Sequence, residues 1–223
     1  MCGRYSLTES GEEIAARFLL EGGLFAVEAL LHPRYNVAPG QSVLTVAAGA
    51  QGREAAAARW GFLPVWAREA RLAQINARSE TAAGSRMFGR AVRARRCVVP
   101  ASSFFEWRRE GGARLPLRFA PAAGGLWGLA GIWEDWPAPG GLVRTCAILT
   151  MRPNPLVAGI HDRMPVILTP EAEAAWLDPG APDPGAQIAG WAPYPADAML
   201  AHRVSPIVNS ARNDGPECIA AVE

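Results

Sequence analysis

Cys2 lies directly behind the initiator methionine in the opening Met1-Cys2-Gly3-Arg4-Tyr5. A small second residue generally permits methionine removal, so the mature chain is expected to begin with an amine and a thiol on adjacent carbons. An α-amine titrates at about 7.7 to 8.0 and a cysteine thiol at about 8.5, so both nucleophilic forms exist near neutral pH. Such a 1,2-aminothiol can make two bonds to one carbon. The bland alternative is a frayed terminus carrying an incidental cysteine. Lysine is absent, all 22 residues of the Lys plus Arg total being arginine. Guanidinium stays protonated and is not an amine nucleophile, so imine chemistry in this chain has to use the N-terminal amine.

The remaining chemistry-bearing residues point less sharply when taken singly. Cys2, Cys97, Cys146 and Cys218 are far apart and form no C-x-x-C pair, and His32, His161 and His202 show no short ligand spacing. No metal and no cofactor are expected. Cys97 and Cys146 lie in apolar runs that read as buried strands, where cysteine behaves as a small hydrophobe. Glu106 alone reads as a partner of Arg108 or Arg109 on an exposed strand face, and His161 alone as a structural histidine.

A net charge of +1 conceals an asymmetry. Residues 53–118 hold fourteen arginines against five acids, whereas residues 171–223 hold eight acids against Arg203 and Arg212. The middle of the chain is therefore a candidate anion surface, with Trp60, Trp66 and Trp107 as possible faces for stacked bases. The competing reading is a solvated helix face for Arg86, Arg90 and Arg93, and core roles for most tryptophans.

These residues must be positioned by a fold that 223 residues, half of them hydrophobic, can build around one substantial core. No run approaches the roughly 18 apolar residues of a membrane span, and Arg4, Glu9, Glu12 and Glu13 interrupt the N-terminus as no secretory signal would allow. A cytoplasmic protein with no membrane partner is expected. Ser10 and Glu13 have capping-box spacing, so a helix is predicted over 10–20, ended by Gly22-Gly23. Strands are predicted over 42–47, 55–62, 96–100, 104–109, 115–119, 126–133, 145–151 and 164–168, with Gly111-Gly112 as a hairpin turn. A second helix is predicted over 85–94. Thr169-Pro170 is an N-cap followed by proline at the first helical position, so a third is predicted over 171–177. The proline- and glycine-rich stretch about 178–195 reads as a surface loop. The expectation is one α+β, strand-rich domain covering 1–223.

Three local sequences carry a resemblance: Met1-Cys2-Gly3-Arg4-Tyr5, Ile75-Asn76-Ala77-Arg78-Ser79-Glu80-Thr81 and Gly159-Ile160-His161-Asp162-Arg163-Met164-Pro165. Together they resemble blocks of the SOS response-associated peptidase family, also called abasic-site processing proteins. Tyr35-Asn36-Val37-Ala38-Pro39, the Trp60 to Ala67 run, Arg96-Cys97-Val98-Val99-Pro100, Phe105-Glu106-Trp107, Val208-Asn209 and Arg212-Asn213-Asp214-Gly215-Pro216 follow in the family's order. The resemblance implies a barrel-like mixed β core with a few short helices that binds single-stranded DNA and captures abasic sites covalently. It implies Cys2 as the nucleophile, with Asn76, Glu106 and His161 completing the catalytic site. It also implies a DNA surface of Gly3, Arg4, Asn36, Pro39, Trp66, Arg78, Ser79, Trp107, Thr150 and Arg163, with Arg4, Arg78 and Arg163 on phosphates and Trp66 and Trp107 stacking or wedging. The chain departs from the family at Ser102-Ser103-Phe104-Phe105, where an aspartate and a tyrosine hydroxyl are usual.

Three functions follow as expectations. The leading one is an enzyme that crosslinks itself to abasic single-stranded DNA exposed at replication forks or junctions, as a nucleoid-associated monomer. The others are a cysteine peptidase using Cys2, including removal of its own Met1, and a binding module that shields single-stranded DNA without chemistry.

Overall fold

Apolar runs dominated by Val, Leu, Ile and Ala build the centre of the molecule. A computed structural model describes residues 2–20 and 24–222. In chain order the strands are β1 (Tyr5–Leu7), β2 (Arg34–Val37), β3 (Ser42–Gly49), β4 (Gly52–Trp60), β5 (Asn76–Arg78), β6 (Arg96–Ala101) and β7 (Ser103–Glu110), followed by β8 (Ala113–Pro121), β9 (Trp127–Ala138), β10 (Gly141–Met151), β11 (Met164–Pro165), β12 (Ile167–Leu168) and β13 (Met199–Arg203). Helices α1 (Gly11–Phe18), α2 (Ser79–Ala82), α3 (Gly89–Ala94), α4 (Pro155–Ala158), α5 (Pro170–Leu177) and α6 (Pro184–Gly190) lie between them.

Strands β10, β4, β3, β6 and β9 are hydrogen-bonded in that order, and β9 pairs back onto β10, so five strands close into a barrel. The β4–β10 pair is parallel and the other barrel pairs antiparallel, which makes the barrel mixed. Val46, Val98, Val99, Leu129, Ile132, Ile148 and Leu149 are fully buried in the core. Cys97 on β6 and Cys146 on β10 are buried free thiols, as their apolar runs predict. A second, five-stranded sheet runs β13-β8-β7-β1-β2. It threads the first residues of the chain between β2 and β7, with Tyr5 opposite both Val37 and Phe104. The α+β class and the barrel-like mixed core agree with expectation.

Local signals set several boundaries. Ser10 and Glu13 form the capping box at the start of α1, whose end is marked by Leu19 at φ 53°, ahead of the expected stop. Gly22-Gly23 lies outside the described residues. The helix predicted over 85–94 is confined to α3, because residues before it turn through the Ser85 N–H to Ala82 bond and Gly89 abuts the Ala83 carbonyl. Thr169 caps α5 as predicted. The stretch 178–195 is not all loop: Asp183 caps α6, with Pro184 at its first position and Ile188 buried. Among the described residues no helix is long and apolar enough to cross a membrane.

Candidate active site

Strand β1 and its flanks place the N-terminal residues against the ends of β5 and β7. Cys2 is fully buried, and its carbonyl accepts a 2.8 Å hydrogen bond from Asn76 Nδ2. Asn76 opens β5, held in parallel register opposite Ile148 of β10. Its Oδ1 is buried and makes no hydrogen bond with any described residue. Glu106 lies on β7 opposite Leu117 and is only 3% exposed. Burial pushes its carboxyl up from the ordinary glutamate value, with positive charge nearby, that of His161 included, pulling the other way. The Cys2 thiol is pushed up as well, first by burial and then by the Glu106 charge. The Glu106 charge thus favours the neutral form of the Cys2 thiol.

His161 follows α4, whose N-cap is Asn154. Its Nδ1 accepts a 3.0 Å hydrogen bond from the Arg163 backbone N–H, which places the neutral ring's proton on Nε2. Asp162 Oδ1 is also 3.0 Å from Nδ1, a contact that becomes favourable once the ring is protonated. Gly3, Arg4, Glu106, Trp107 and His161 line one cavity of about 390 Å³, together with Arg109, Arg114 and Asn209. Thus the four expected catalytic residues meet at one place: Glu106 and His161 in the cavity wall, Cys2 behind Gly3, and Asn76 on the Cys2 carbonyl.

The expected DNA residues divide. Arg4 lines the cavity and its guanidinium is also fixed from within, donating to Asn36 Oδ1 and the Val208 carbonyl, each at 2.6 Å, and resting 5.7 Å from the Trp107 ring centroid. Trp107 Nε1 donates to Asn209 Oδ1 at 2.6 Å. Asn36 is not at the surface. It is fully buried, and its Nδ2 donates to the carbonyls of Val208, Ser210 and Asn213. Its role is therefore to hold the C-terminal segment over β2. Asn36→Ala removes one hydrogen bond from each of three carbonyls and from Arg4, groups that keep other partners, and is expected to cost about 1–3 kcal/mol of stability. Urea unfolding checks this, and a loss below about 1 kcal/mol would mean that water replaces the amide.

Arg163 is engaged bidentately by Glu80 at 2.7 and 2.8 Å and donates to the Thr150 carbonyl at 2.5 Å, so its charge is largely met inside the protein. Thr150 and Ser79 are buried, whereas Arg78 and Pro39 are exposed. Trp66 is 47% exposed but lies outside the cavity, in a separate groove with Val65, Arg68 and Trp136, where the Arg86 guanidinium is 5.5 Å from its ring centroid. Trp60, considered above as a stacking face, is a core residue with its Nε1 on the Ile75 carbonyl at 2.9 Å. Arg108 pairs with Glu110 rather than Glu106. Phe105, where the family usually has tyrosine, is fully buried in an apolar cluster with Val204, Val208 and Cys218.

Part of the arginine-rich middle is engaged internally, although most of its arginines are exposed. Arg53 meets buried Glu173 and Arg95 meets buried Glu134, whereas Arg71 pairs with Glu69 at the surface. Buried Arg96 donates to the carbonyls of Val92, Arg93, Trp176 and Asp178. The block is thus less of an anion surface than its composition predicts. Arg109 and Arg114 are cavity residues that motif reading gave no site role, and Asn209, quoted only within a family block, joins them. The signal for the first two was present, because a two-residue turn at Gly111-Gly112 sets Arg109 opposite Arg114.

The chain is similar to known proteins over nearly its whole length. Residues 1–211 match the family model described as SOS response associated peptidase (SRAP). The chain is 40% identical to the abasic site processing protein YoqW of Bacillus subtilis (strain 168), over 98% of this chain and 99% of that one. It is 33% identical to the abasic site processing protein YedK of Escherichia coli (strain K12), over the whole of both chains. A crystal structure of a protein from Bacteroides thetaiotaomicron superposes over all of both chains with a TM-score of 0.88 at 26% identity. With a buried Cys2 held by Asn76 beside Glu106 and His161, and with the family match running from residue 1 to 211, the chain belongs to the SOS response associated peptidase (SRAP) family.

Proposed function

We propose that this protein processes abasic sites in DNA by capturing the opened sugar covalently on Cys2. The observation that carries the proposal is the convergence at one cavity: buried Cys2 with its carbonyl on Asn76, the charge of Glu106 acting on its thiol, and His161 in the same wall. The names of YoqW and YedK as abasic site processing proteins support the same substrate.

The chemistry starts from a chain whose Met1 has been removed by hydrolysis. A ring-opened abasic deoxyribose presents an aldehyde at C1′. The Cys2 amine adds to that carbon, giving a carbinolamine. Its hydroxyl leaves as water with a proton supplied by a neighbouring acid, and an imine forms. The thiol then adds to the same carbon while its proton is lost, closing a five-membered thiazolidine. Aldehyde and aminothiol thus become thiazolidine plus one water, with no oxidant or reductant. Closing the ring is intramolecular, and good geometry contributes about 7–11 kcal/mol to such a step.

Each residue has a task that suits its surroundings. Glu106, with its pKa raised by burial, is suited to give a proton to the departing hydroxyl and then to take the thiol's proton. A thiol kept neutral until it attacks is consistent with this order. His161, its proton on Nε2, suits protonation of the sugar oxygen as the furanose opens. Asn76 fixes Cys2 through its carbonyl and leaves Oδ1 as an acceptor for the amine or a sugar hydroxyl. Single-stranded DNA is the fitting partner, because its sugar can reach the cavity without the cost of unpairing and unstacking a duplex.

A standing peptidase fits less well, since it would need a thiolate where burial and the Glu106 charge both oppose one. Intact mass spectrometry after incubation with an abasic oligonucleotide, an undamaged one and a peptide separates the readings. The expected product is protein beginning at Cys2 plus the abasic strand less one water, with the other two substrates unchanged. Cleaved peptide with no adduct would favour the peptidase.

A further inference from the structure

We infer that Arg109 and Arg114 form a clamp for one backbone phosphodiester at the mouth of the cavity, next to the sugar that enters it. This rests on the reading of the cavity as a DNA site. Strands β7 and β8 are joined by Gly111-Gly112, with φ of 55° and 83°, a two-residue turn that favours glycine at both positions. The turn pins the register, so that Arg109 and Arg114 are direct cross-strand partners. Like charges in that position destabilise a sheet. Glu110, the acid nearest the turn, does not relieve them, because Arg108 occupies it at 2.9 Å. Neither the Arg109 nor the Arg114 guanidinium makes a hydrogen bond or ion pair with any described residue. Both are exposed and both line the cavity that Glu106 and His161 share.

The surroundings favour a phosphate that belongs to a strand. Arg114 lies 5.6 Å from the Trp107 ring centroid, Arg4 lies 5.7 Å from the same ring, and Asn209 pins the indole N–H. An aromatic plate is thereby held rigid between the paired arginines and the catalytic wall, where a base neighbouring the extruded sugar can stack. A phosphodiester has two charged oxygens and each guanidinium offers a planar fork, so one phosphate meets both arginines and removes their repulsion.

The test is binding to undamaged single-stranded DNA, which needs no Cys2 chemistry. Because two arginines serve one phosphate and either alone still neutralises it, Arg109→Ala and Arg114→Ala should each leave the salt slope nearly unchanged, whereas the double variant should lower it by about 0.7, the value for one neutralised phosphate on a single strand. Affinity should fall by about ten-fold in the double variant at about 0.15 M salt. An oligonucleotide with one neutral methylphosphonate walked along its length should show one position that weakens the unaltered protein but leaves the double variant unaffected. Arg109→Lys with Arg114→Lys keeps both charges in a folded hairpin and should restore the slope with only part of the affinity.

If no methylphosphonate position loses its effect in the double variant, the clamp is wrong, and binding of free phosphate without such a position would equally overturn it. Normal adduct formation without that coupling removes the clamp alone. Coupling without adduct formation removes the proposed chemistry alone.

Discussion

Protein carrying one extra residue ahead of Cys2 is expected to bind abasic single-stranded DNA normally and to form no heat-stable adduct with it. The chain has no lysine, and an added residue turns the Cys2 nitrogen into an unreactive amide, so the one remaining α-amine stands on a residue with no thiol beside it and any imine it forms cannot close to a thiazolidine. Cys2→Ser is expected to behave differently. It keeps the amine, so an imine forms and hydrolyses, and borohydride can trap it, but the heat-stable product vanishes because no sulfur closes the ring. Loss of the intramolecular step removes an advantage that corresponds to about 10⁵ to 10⁸ M of effective concentration, which should take the stable adduct below detection on a denaturing gel. Efficient crosslinking by the extended protein, or a heat-stable Cys2→Ser adduct without reductant, would sink the mechanism.

Glu106→Gln should separate chemistry from stability in opposite directions. Glutamine keeps the size and most hydrogen bonding but cannot exchange a proton, so crosslinking should slow by about 10² to 10⁴-fold. Affinity for undamaged single-stranded DNA should change little. His161→Ala, in contrast, should be partly rescued by a substrate already held as an open-chain aldehyde, since its task ends when the sugar opens. Quench-flow crosslinking on both substrates distinguishes the two residues, and equal rates for both variants and the unaltered protein would leave Cys2 acting on proximity alone.

The stability arm has a definite sign. Burial raises the Glu106 pKa in the folded state, so above the ordinary value of 4.5 the native protein holds a proton that the unfolded chain has released. Stability contributed by this group is full below that value and is lost as pH rises through the folded pKa. Glutamine has no such loss. The melting temperature of Glu106→Gln relative to the unaltered protein should therefore climb from about pH 4.5 upward and level off above the folded pKa. A difference that does not vary with pH would place the carboxylate in a well-compensated polar site.

How far the sequence reveals these features depends on their length and reach. The long strands β6 to β10 are legible because each is an apolar run bounded by turn residues, and α1 and α5 because their caps are local. Strands β1, β5 and β13 have three to five residues, too few for alternation to show, and exist because a neighbouring strand completes their hydrogen bonds. Helix α6 carried a readable Asp183-Pro184 start of the same kind as Thr169-Pro170, but its proline- and glycine-rich setting pointed to loop.

The site was legible only through motifs. Cys2 announces an aminothiol by itself, whereas Asn76, Glu106 and His161 are brought to it by strands far apart in sequence, and no periodicity marks them. Asn36 and Arg163 have internal partners that the sequence hides for a related reason. A polar side chain in a motif reads as a ligand contact, and only the fold reveals that the carbonyls of 208–213 and Glu80 take it up.

The bond from Arg4 to the Val208 carbonyl spans 204 positions, and the N–H groups of Tyr35 and Asn36 both reach Asp214. These contacts set a clock on assembly. At about 5–20 residues per second of synthesis, the first residues leave the ribosome tens of seconds before their last partners exist. During that interval the amino terminus is an ordinary tail, open to processing by other enzymes, and the cavity has no finished wall to gather an aldehyde around Cys2. Under the proposed chemistry, a nascent fragment stalled before residue 208 should keep the reactivity of a free aminothiol but lack the acceleration that the finished cavity adds.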